Sequence, residues 1–212
     1  MNDRRRTEDL IGALAAAPLP EPFRPGRTLA AMLCVMLAGL GLYLAIFGIR
    51  PDLGAAWAEL AVQAKTILPA LLSLSAIWLA LRSARPEGRV MLWLLALPGA
   101  VAGAMVLYRL AGADGLSFAE MAGQTALACL GSIVLLSALP LAAGIVLFRR
   151  SAPTRPVVTG ALLGLATAAA VASGYALHCT EDSPLFFVAW YGGAICLVGG
   201  IGAVAGHRFL RW

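Results

Sequence analysis

The chain has 212 residues, of which 60% are hydrophobic and 13% charged, and a formal net charge of +5. Soluble domains carry roughly a quarter charged residues, so this composition cannot coat a water-soluble globule and leaves no room for a large soluble domain as well. The positive charge does not mark a nucleic-acid surface, because the Lys and Arg residues sit in short clusters between apolar runs, where they read first as topology signals.

The first 27 residues are mostly polar. A signal peptide places an apolar stretch of about 7–15 residues directly after a short basic one, so no cleavable signal is expected. Arg4-Arg5-Arg6 is followed by Thr7-Glu8-Asp9 and not by an apolar stretch, which argues against a twin-arginine signal. Thr7 is expected to cap a short helix with Glu8 and Asp9 in its first turn. Leu10, Ile11 and Leu14 form an apolar stripe at helical spacing, ended by Pro18 and Pro20. That stripe fits either the inner membrane face, with Arg4 to Arg6 near anionic lipid, or a groove on a cytoplasmic partner. Residues 1–27 are therefore read as a cytoplasmic segment and 28–212 as the membrane domain.

A bilayer core needs about 20 apolar residues in a helix, and six runs qualify. They are Leu29 to Ile49, Thr66 to Leu81, Val90 to Leu110, Gln124 to Phe148, Pro156 to Leu177 and Pro184 to Gly206. The second is short, with Lys65 and Pro69 at its start, and its helix can begin earlier. Backbone groups in lipid must pair internally, so the fold class is all-α, a bundle of six transmembrane helices. Arg4, Arg5, Arg6, Arg24, Arg27, then Arg82, Arg85, Arg89, then Arg149, Arg150, Arg155, and finally Arg208 and Arg211 fall on one side. Only Arg50, Lys65 and Arg109 fall on the other, near helix ends where the long side chains can snorkel. The positive-inside rule then puts both termini in the cytoplasm.

Tyr43, Phe47, Tyr108, Trp190, Tyr191, Phe209 and Trp212 lie near run ends, and Trp78 and Trp93 at cytoplasmic ends, as interface anchors should. Gly99-x-x-x-Gly103, Gly160-x-x-x-Gly164 and Gly202-x-x-x-Gly206 bring small faces together, within one chain or in a homodimer. The fifth helix, rich in Ala and Gly, is expected at the centre. Pro98 and Pro140 are expected to kink the third and fourth.

No ionisable group lies near the middle of a run, which argues against a proton-coupled carrier but leaves a channel for a neutral solute open. An intramembrane serine protease needs Gly-x-Ser-Gly and a deep His, whereas Val171-Ala172-Ser173-Gly174 lacks the first Gly. Phosphate-binding loops are absent. A membrane subunit of an oxidoreductase is disfavoured because His178 and His207 lie on opposite sides. Cys34 and Cys196 read as small apolar filler. Cys129 lies five residues into the fourth run, about 7–8 Å deep at 1.5 Å per residue, in the same outer leaflet as Cys179. Two thiols there pair only if their Cα atoms come within about 7 Å. His178-Cys179-Thr180-Glu181-Asp182-Ser183-Pro184 joins imidazole, thiol and carboxylate, ligand types for a soft metal ion. It equally reads as a cap and loop, with Ser183 the N-cap, Pro184 the first helical residue and the two acids favouring the helix dipole.

The stretch Leu177 to Pro184 with Trp190-Tyr191 resembles the C-terminal signature of the NrsF family, the negative regulators of sigma F, and Glu8-Asp9-Leu10-Ile11-x-x-Leu14 is similar to its cytoplasmic start. The family often has Pro where this chain has Thr180. The resemblance implies an inner-membrane anti-sigma factor, not an enzyme, that holds an extracytoplasmic function sigma factor and releases it under heavy-metal stress. It also implies two signalling cysteines, matching Cys129 and Cys179, as the transient ligands of a soft metal ion, with His178, Glu181 and Asp182 beside them. No resident cofactor and no direct nucleic-acid contact are expected. The alternative is a small-solute channel or transport subunit. No Cys lies in a cytoplasmic segment, so a soluble zinc-binding anti-sigma domain is not expected.

Overall fold

The computed structural model describes residues 2–16, 23–85, 91–112, 118–151 and 153–211, without the side chains of residues 2–5 and 14. Pro18, Pro20, Arg89, Val90 and Trp212, and the side chains of Arg4, Arg5 and Leu14, lie outside the described residues. Every described element is helical: α1 (Asn2–Ala16), α2 (Pro25–Phe47), α3 (Leu53–Ala56), α4 (Leu60–Ser83), a 3-10 turn at Leu92–Leu95, α5 (Ala96–Leu110), α6 (Phe118–Ala122), α7 (Ala126–Phe148), α8 (Pro156–Tyr175) and α9 (Pro184–Phe209).

Six stretches are long and apolar enough to cross a membrane: α2, α4, Leu92–Leu110, Phe118–Phe148, α8 and α9. Pro25, Pro156 and Pro184 open three of them at positions where a missing N–H breaks no helix bond. The second reaches back to Leu60, so Lys65 lies a turn and a half inside α4. Pro140 falls within α7. Pro98 does not interrupt a helix: it is the third residue of α5, after the 3-10 turn, where its N–H would be unpaired anyway. At the other extreme of the chain, α1 begins at Asn2, so Thr7 lies inside the helix and does not cap it.

The centre of the bundle is α8, as its small residues predict. It packs on α9, α4, α7 and, more lightly, α2. Lipid tails offer helices no hydrophobic reason to associate, so close backbone approach and interhelical hydrogen bonds do the work. A Cβ on Gly160 would strike the Gly202 carbonyl and the Gly206 backbone, and one on Gly164 the Val198 carbonyl and Gly199. The two glycine repeats of α8 and α9 thus meet inside one chain. The α4–α8 seam is polar: Ser73 Oγ donates to the Ala166 carbonyl at 2.8 Å, Ser173 Oγ to the Thr66 carbonyl at 2.9 Å, and Ser83 and Thr159 share a 2.9 Å hydrogen bond. Gly99 and Gly103 differ from the expectation, because no atom lies within 4 Å of where their Cβ would be. Gly99 is exposed and Gly103 half-buried on α5, and neither meets another described helix at close range.

The six stretches alternate in direction. The ends of α2, α5 and α8 gather with the starts of α4, α7 and α9, and the contacts described below join them.

Because backbone meets backbone at Gly164, Gly164→Ala should lower stability by about 1–3 kcal/mol, the usual range for overpacking. Gly103→Ala, with open space around it, should be neutral or mildly stabilising. Unfolding of the detergent-solubilised protein by graded SDS checks both; equal losses would remove the seam from its central place.

Candidate functional site

Cys129 sits in the first turn of α7, where its N–H bonds the Thr125 carbonyl at 2.8 Å. Cys179 sits in the loop after α8, where the last helical carbonyl, Tyr175, accepts from His178 N–H at 2.9 Å and Cys179 N–H at 3.1 Å. The closing turn thus fixes the direction in which Cys179 leaves the helix. Both thiols are free and buried, 0% and 4% exposed, and they are neighbours within one core cluster. Cys34 and Cys196 are also free but exposed, on the outer faces of α2 and α9, and not in the core.

The loop is held by two buried cations. Arg50, three residues past the end of α2, is 5% exposed. Its backbone N–H donates to the Leu177 carbonyl at 3.0 Å. Its guanidinium donates to both Asp52 oxygens at 2.8 Å, to the Asp182 oxygens at 2.7 and 2.9 Å, and to the Cys179 carbonyl at 3.3 Å. Lys65 is wholly buried. Its ammonium donates to the Cys179 carbonyl at 2.7 Å, the Glu181 carbonyl at 3.2 Å and the Asp182 carboxylate. An ammonium has three N–H groups, and all three are used.

The other members of the sequence cluster turn to separate tasks. His178 donates from Nδ1 to the Gly48 carbonyl at 2.8 Å, among the rings of Tyr43, Phe47 and Tyr175. The Glu181 carboxylate accepts from Gln124 N–H at 2.8 Å. Gly123, at φ 57°, makes the turn that aims this N–H, and a Cβ there would overlap the Phe186 ring. Ser183 caps α9, accepting from Leu185 N–H at 3.2 Å, and donates to Glu120 at 2.6 Å, which also pairs with Arg109 at 2.9 Å. Tyr191 is not an interface anchor. It is 1% exposed, its hydroxyl has no well-formed hydrogen bond, and it lies against the Cys179 thiol.

The sequence-predicted residues therefore divide. Cys129 and Cys179 come together. His178, Glu181 and Asp182 fasten the loop and point their polar atoms elsewhere. Glu181 and Asp182 serve specific partners and not the dipole of α9. Among the described residues no three His, Cys, Asp or Glu side chains are placed to hold one metal ion. Glu8, Asp9, Leu10 and Ile11 are at the far end of the chain on α1, where Leu10 and Ile11 stand 60% and 59% exposed. Arg50 and Lys65 were missed as site residues. Their signal was a cation at the edge of each apolar run on the side that carries Glu181 and Asp182. Lys65 does not snorkel, because its partners lie within the protein.

Charge pairing sets the ionisation of the loop. Burial opposes the Asp182 charge, but the hydrogen bonds from Arg50 and Lys65 outweigh it and hold the carboxyl below its ordinary value. The Arg50 hydrogen bonds hold Asp52 at about 2. For Cys179, the hydrogen bond with Cys129 lowers the thiol below its usual range against the cost of burial, assisted by the Glu181 N–H and the Lys65 charge.

Fold and site together define a protein whose described elements are all helical, six of its stretches long and apolar enough to cross a membrane, with a buried pair of free thiols at one end. The family described as negative regulator of sigma F, NrsF, matches residues 13–212. The anti-sigma-F factor NrsF of Caulobacter vibrioides is 35% identical over 216 residues, covering 98% of this chain and 100% of its own length. The probable anti-sigma-F factor NrsF of Azospira oryzae is 30% identical over 213 residues, with the same coverage. No solved structure matches. The chain belongs to the NrsF family of anti-sigma factors, regulatory proteins whose partner is a sigma factor.

Removing Asp182 would leave two buried cations short of a counter-charge, and stranding one partner of a buried pair costs about 3–5 kcal/mol. Asp182→Ala should lose about that much in SDS or thermal unfolding at neutral pH. The folded-state carboxyl lies below its ordinary 3.8, so its contribution is complete above that value and is lost as pH falls through the folded value. Acidification from about pH 5 to about pH 3 should therefore narrow the gap between wild type and variant. A gap independent of pH would show that Asp182 acts by shape and not by charge.

Proposed function

We propose that this protein is an anti-sigma factor of the bacterial inner membrane, with both termini in the cytoplasm. It holds an extracytoplasmic function sigma factor and releases it under heavy-metal or redox stress. The observation that carries this reading is the facing pair of reduced, buried thiols, one on α7 and one on the α8–α9 loop, in a chain of the NrsF family. The arginine distribution supports the orientation: Arg50, Lys65 and Arg109 alone fall at the thiol end, which the positive-inside rule places outside. Outside is the oxidising side, where thiol chemistry can report on the environment.

The signal acts in one of two chemically balanced ways. A soft metal ion displaces two thiol protons and binds both sulfurs. An oxidant such as a peroxide or a disulfide takes two electrons and two protons from the pair, forming one S–S bond. Either draws Cys179 toward Cys129 and so moves the end of α8 relative to α7. The opposite ends of these helices flank the Arg149 to Arg155 connection on the cytoplasmic side, so that surface shifts as well. The partner-binding element is α1, through Glu8, Asp9, Leu10, Ile11 and Leu14: an amphipathic helix with its described apolar side chains open suits a groove on a soluble partner. A tenfold loss of affinity needs about 1.4 kcal/mol of difference between the two states, about the magnitude of one hydrogen bond.

Two experiments test this. In a pull-down of the full-length protein in detergent against its cell's sigma factors, one should be captured and then released by Cd²⁺ or an oxidant. The Cys129→Ser, Cys179→Ser double variant should capture and not release; release from that variant would sink the thiol sensor. Leu10→Asp with Ile11→Asp should weaken capture at least about tenfold, by removal of two anchors of about 1.5–3 kcal/mol each on burial. Unchanged capture would move the binding surface away from α1.

A further inference from the structure

We propose that Arg50 is the positioning residue that carries the state of the thiol pair to α2, and through α2 to the N-terminal helix α1. The inference rests on the thiol-sensor reading and names its route of output, which differs from the α7–α8 connection.

The hydrogen bonds between the two loops point to this route. Residues just beyond α2 are tied on both sides of Cys179: the Gly48 carbonyl accepts from His178, Arg50 N–H donates to the Leu177 carbonyl, and the guanidinium reaches the Cys179 carbonyl and Asp182. The Cys179 backbone is thus a direct ligand of Arg50. Forming a disulfide shortens the sulfur separation to about 2 Å and restricts Cα–Cα to about 4.4–6.8 Å. Neither thiol is at bonding distance now. A disulfide that draws the Cys179 backbone toward α7 changes the bonds of its carbonyl to Arg50 and Lys65.

The remainder of α2 is free to respond. Of its 23 residues only Thr28, Met32 and Leu40 are buried, against most of α8. Its principal packing is on α7, where it also has one side-chain hydrogen bond, Ser132 to Tyr43 at 3.3 Å. A loosely packed helix with a strong polar anchor at one end behaves as a rod about 35 Å long. Its far end begins at Pro25, and only residues 17–24 separate it from α1. A shift of the Cys179 loop therefore acts on the element to whose end it is tied, which follows α1 in the chain. Such coupling needs both sites to bias the same two-state element, and α2 is the element that touches one and follows the other. Lys65 fastens the same loop to α4, which is held to α8 by three hydrogen bonds and serves as the fixed side.

The test uses the full-length protein in detergent with its captured sigma factor. Diamide takes two electrons and two protons from the thiol pair and becomes the hydrazine. A maleimide–polyethylene glycol gel shift reads disulfide formation, and release is scored as the fraction of what each variant captures. In wild type, release should follow disulfide formation. In Arg50→Gln the disulfide should form while release falls at least tenfold at equal oxidation, and Arg50→Lys should restore part of it. A second variant, with Gly-Gly inserted after Gly48, keeps Arg50 but breaks its rigid link to α2, and should be uncoupled in the same way. It carries the test alone if Arg50→Gln does not fold. Release from the variants at wild-type yield per disulfide overturns the Arg50 route and leaves the sensor standing. A wild-type disulfide that forms without release overturns both.

Discussion

Two cations buried from solvent govern this structure. Arg50 and Lys65 lie at the margin of an apolar bundle, 5% and 0% exposed, and the desolvation of each costs several kcal/mol unless it is met by opposite charge and by oxygen acceptors. Asp182, Asp52 and two backbone carbonyls meet that need. Because the carbonyls belong to Cys179 and Glu181, satisfying the cations fixes the path of the α8–α9 loop, and the Arg50 N–H adds a bond to the Leu177 carbonyl. The position of Cys179 opposite Cys129 follows from that path. The thiol pair is thus held by the electrostatics of its neighbours and not by a bond between the sulfurs, which leaves the sulfurs free to react.

The rest of the bundle supplies a rigid frame for this loop. Glycines on α8 and α9 bring two backbones into contact, and Ser73, Ser83, Thr159 and Ser173 bind α4 to α8. Those three helices form a dense unit. By contrast α2 and α5 lie outside it, with most of their surface open. An arrangement with a stiff centre and lightly held outer helices can move one outer helix without unfolding the centre. That asymmetry is a property of packing, independent of any signal.

The spans were legible in the sequence because length and apolarity are local, and lipid leaves the helix as the only open structure able to cross it. The centrality of α8 and the glycine contact were legible for a related reason: small residues mark where backbones approach. What the sequence hid was direction. Lys65 near a helix start is the pattern of a snorkelling residue, and only the tertiary arrangement reveals that Asp182 and two carbonyls sit where its ammonium points. Likewise the five residues from His178 to Asp182 form a dense polar word in the sequence. In an extended loop their side chains leave in different directions, so His178 reaches Gly48, Glu181 reaches Gln124, and Cys179 alone reaches Cys129. Tyr191, adjacent to an interface-like Trp190, turns into the core because the two occupy neighbouring positions on a helix, about 100° apart. Thr7 failed as a cap because its helix starts five residues earlier.

The same geometry explains why two cysteines and not a larger ligand set stand at this site. Both oxygens of Asp182 are already taken by Arg50 and Lys65, and His178 is turned away onto the Gly48 carbonyl among aromatic rings. A metal centre that drew on Asp182 would therefore come at the expense of the clamp that places Cys179. The clamp is made of oxygen and nitrogen atoms, and the Cys179 carbonyl is one of them, so the sulfur of Cys179 is free while its backbone is not. Any displacement of that backbone is therefore felt first at Arg50 and Lys65, while their ion pairs with Asp182 and Asp52 keep both charges compensated.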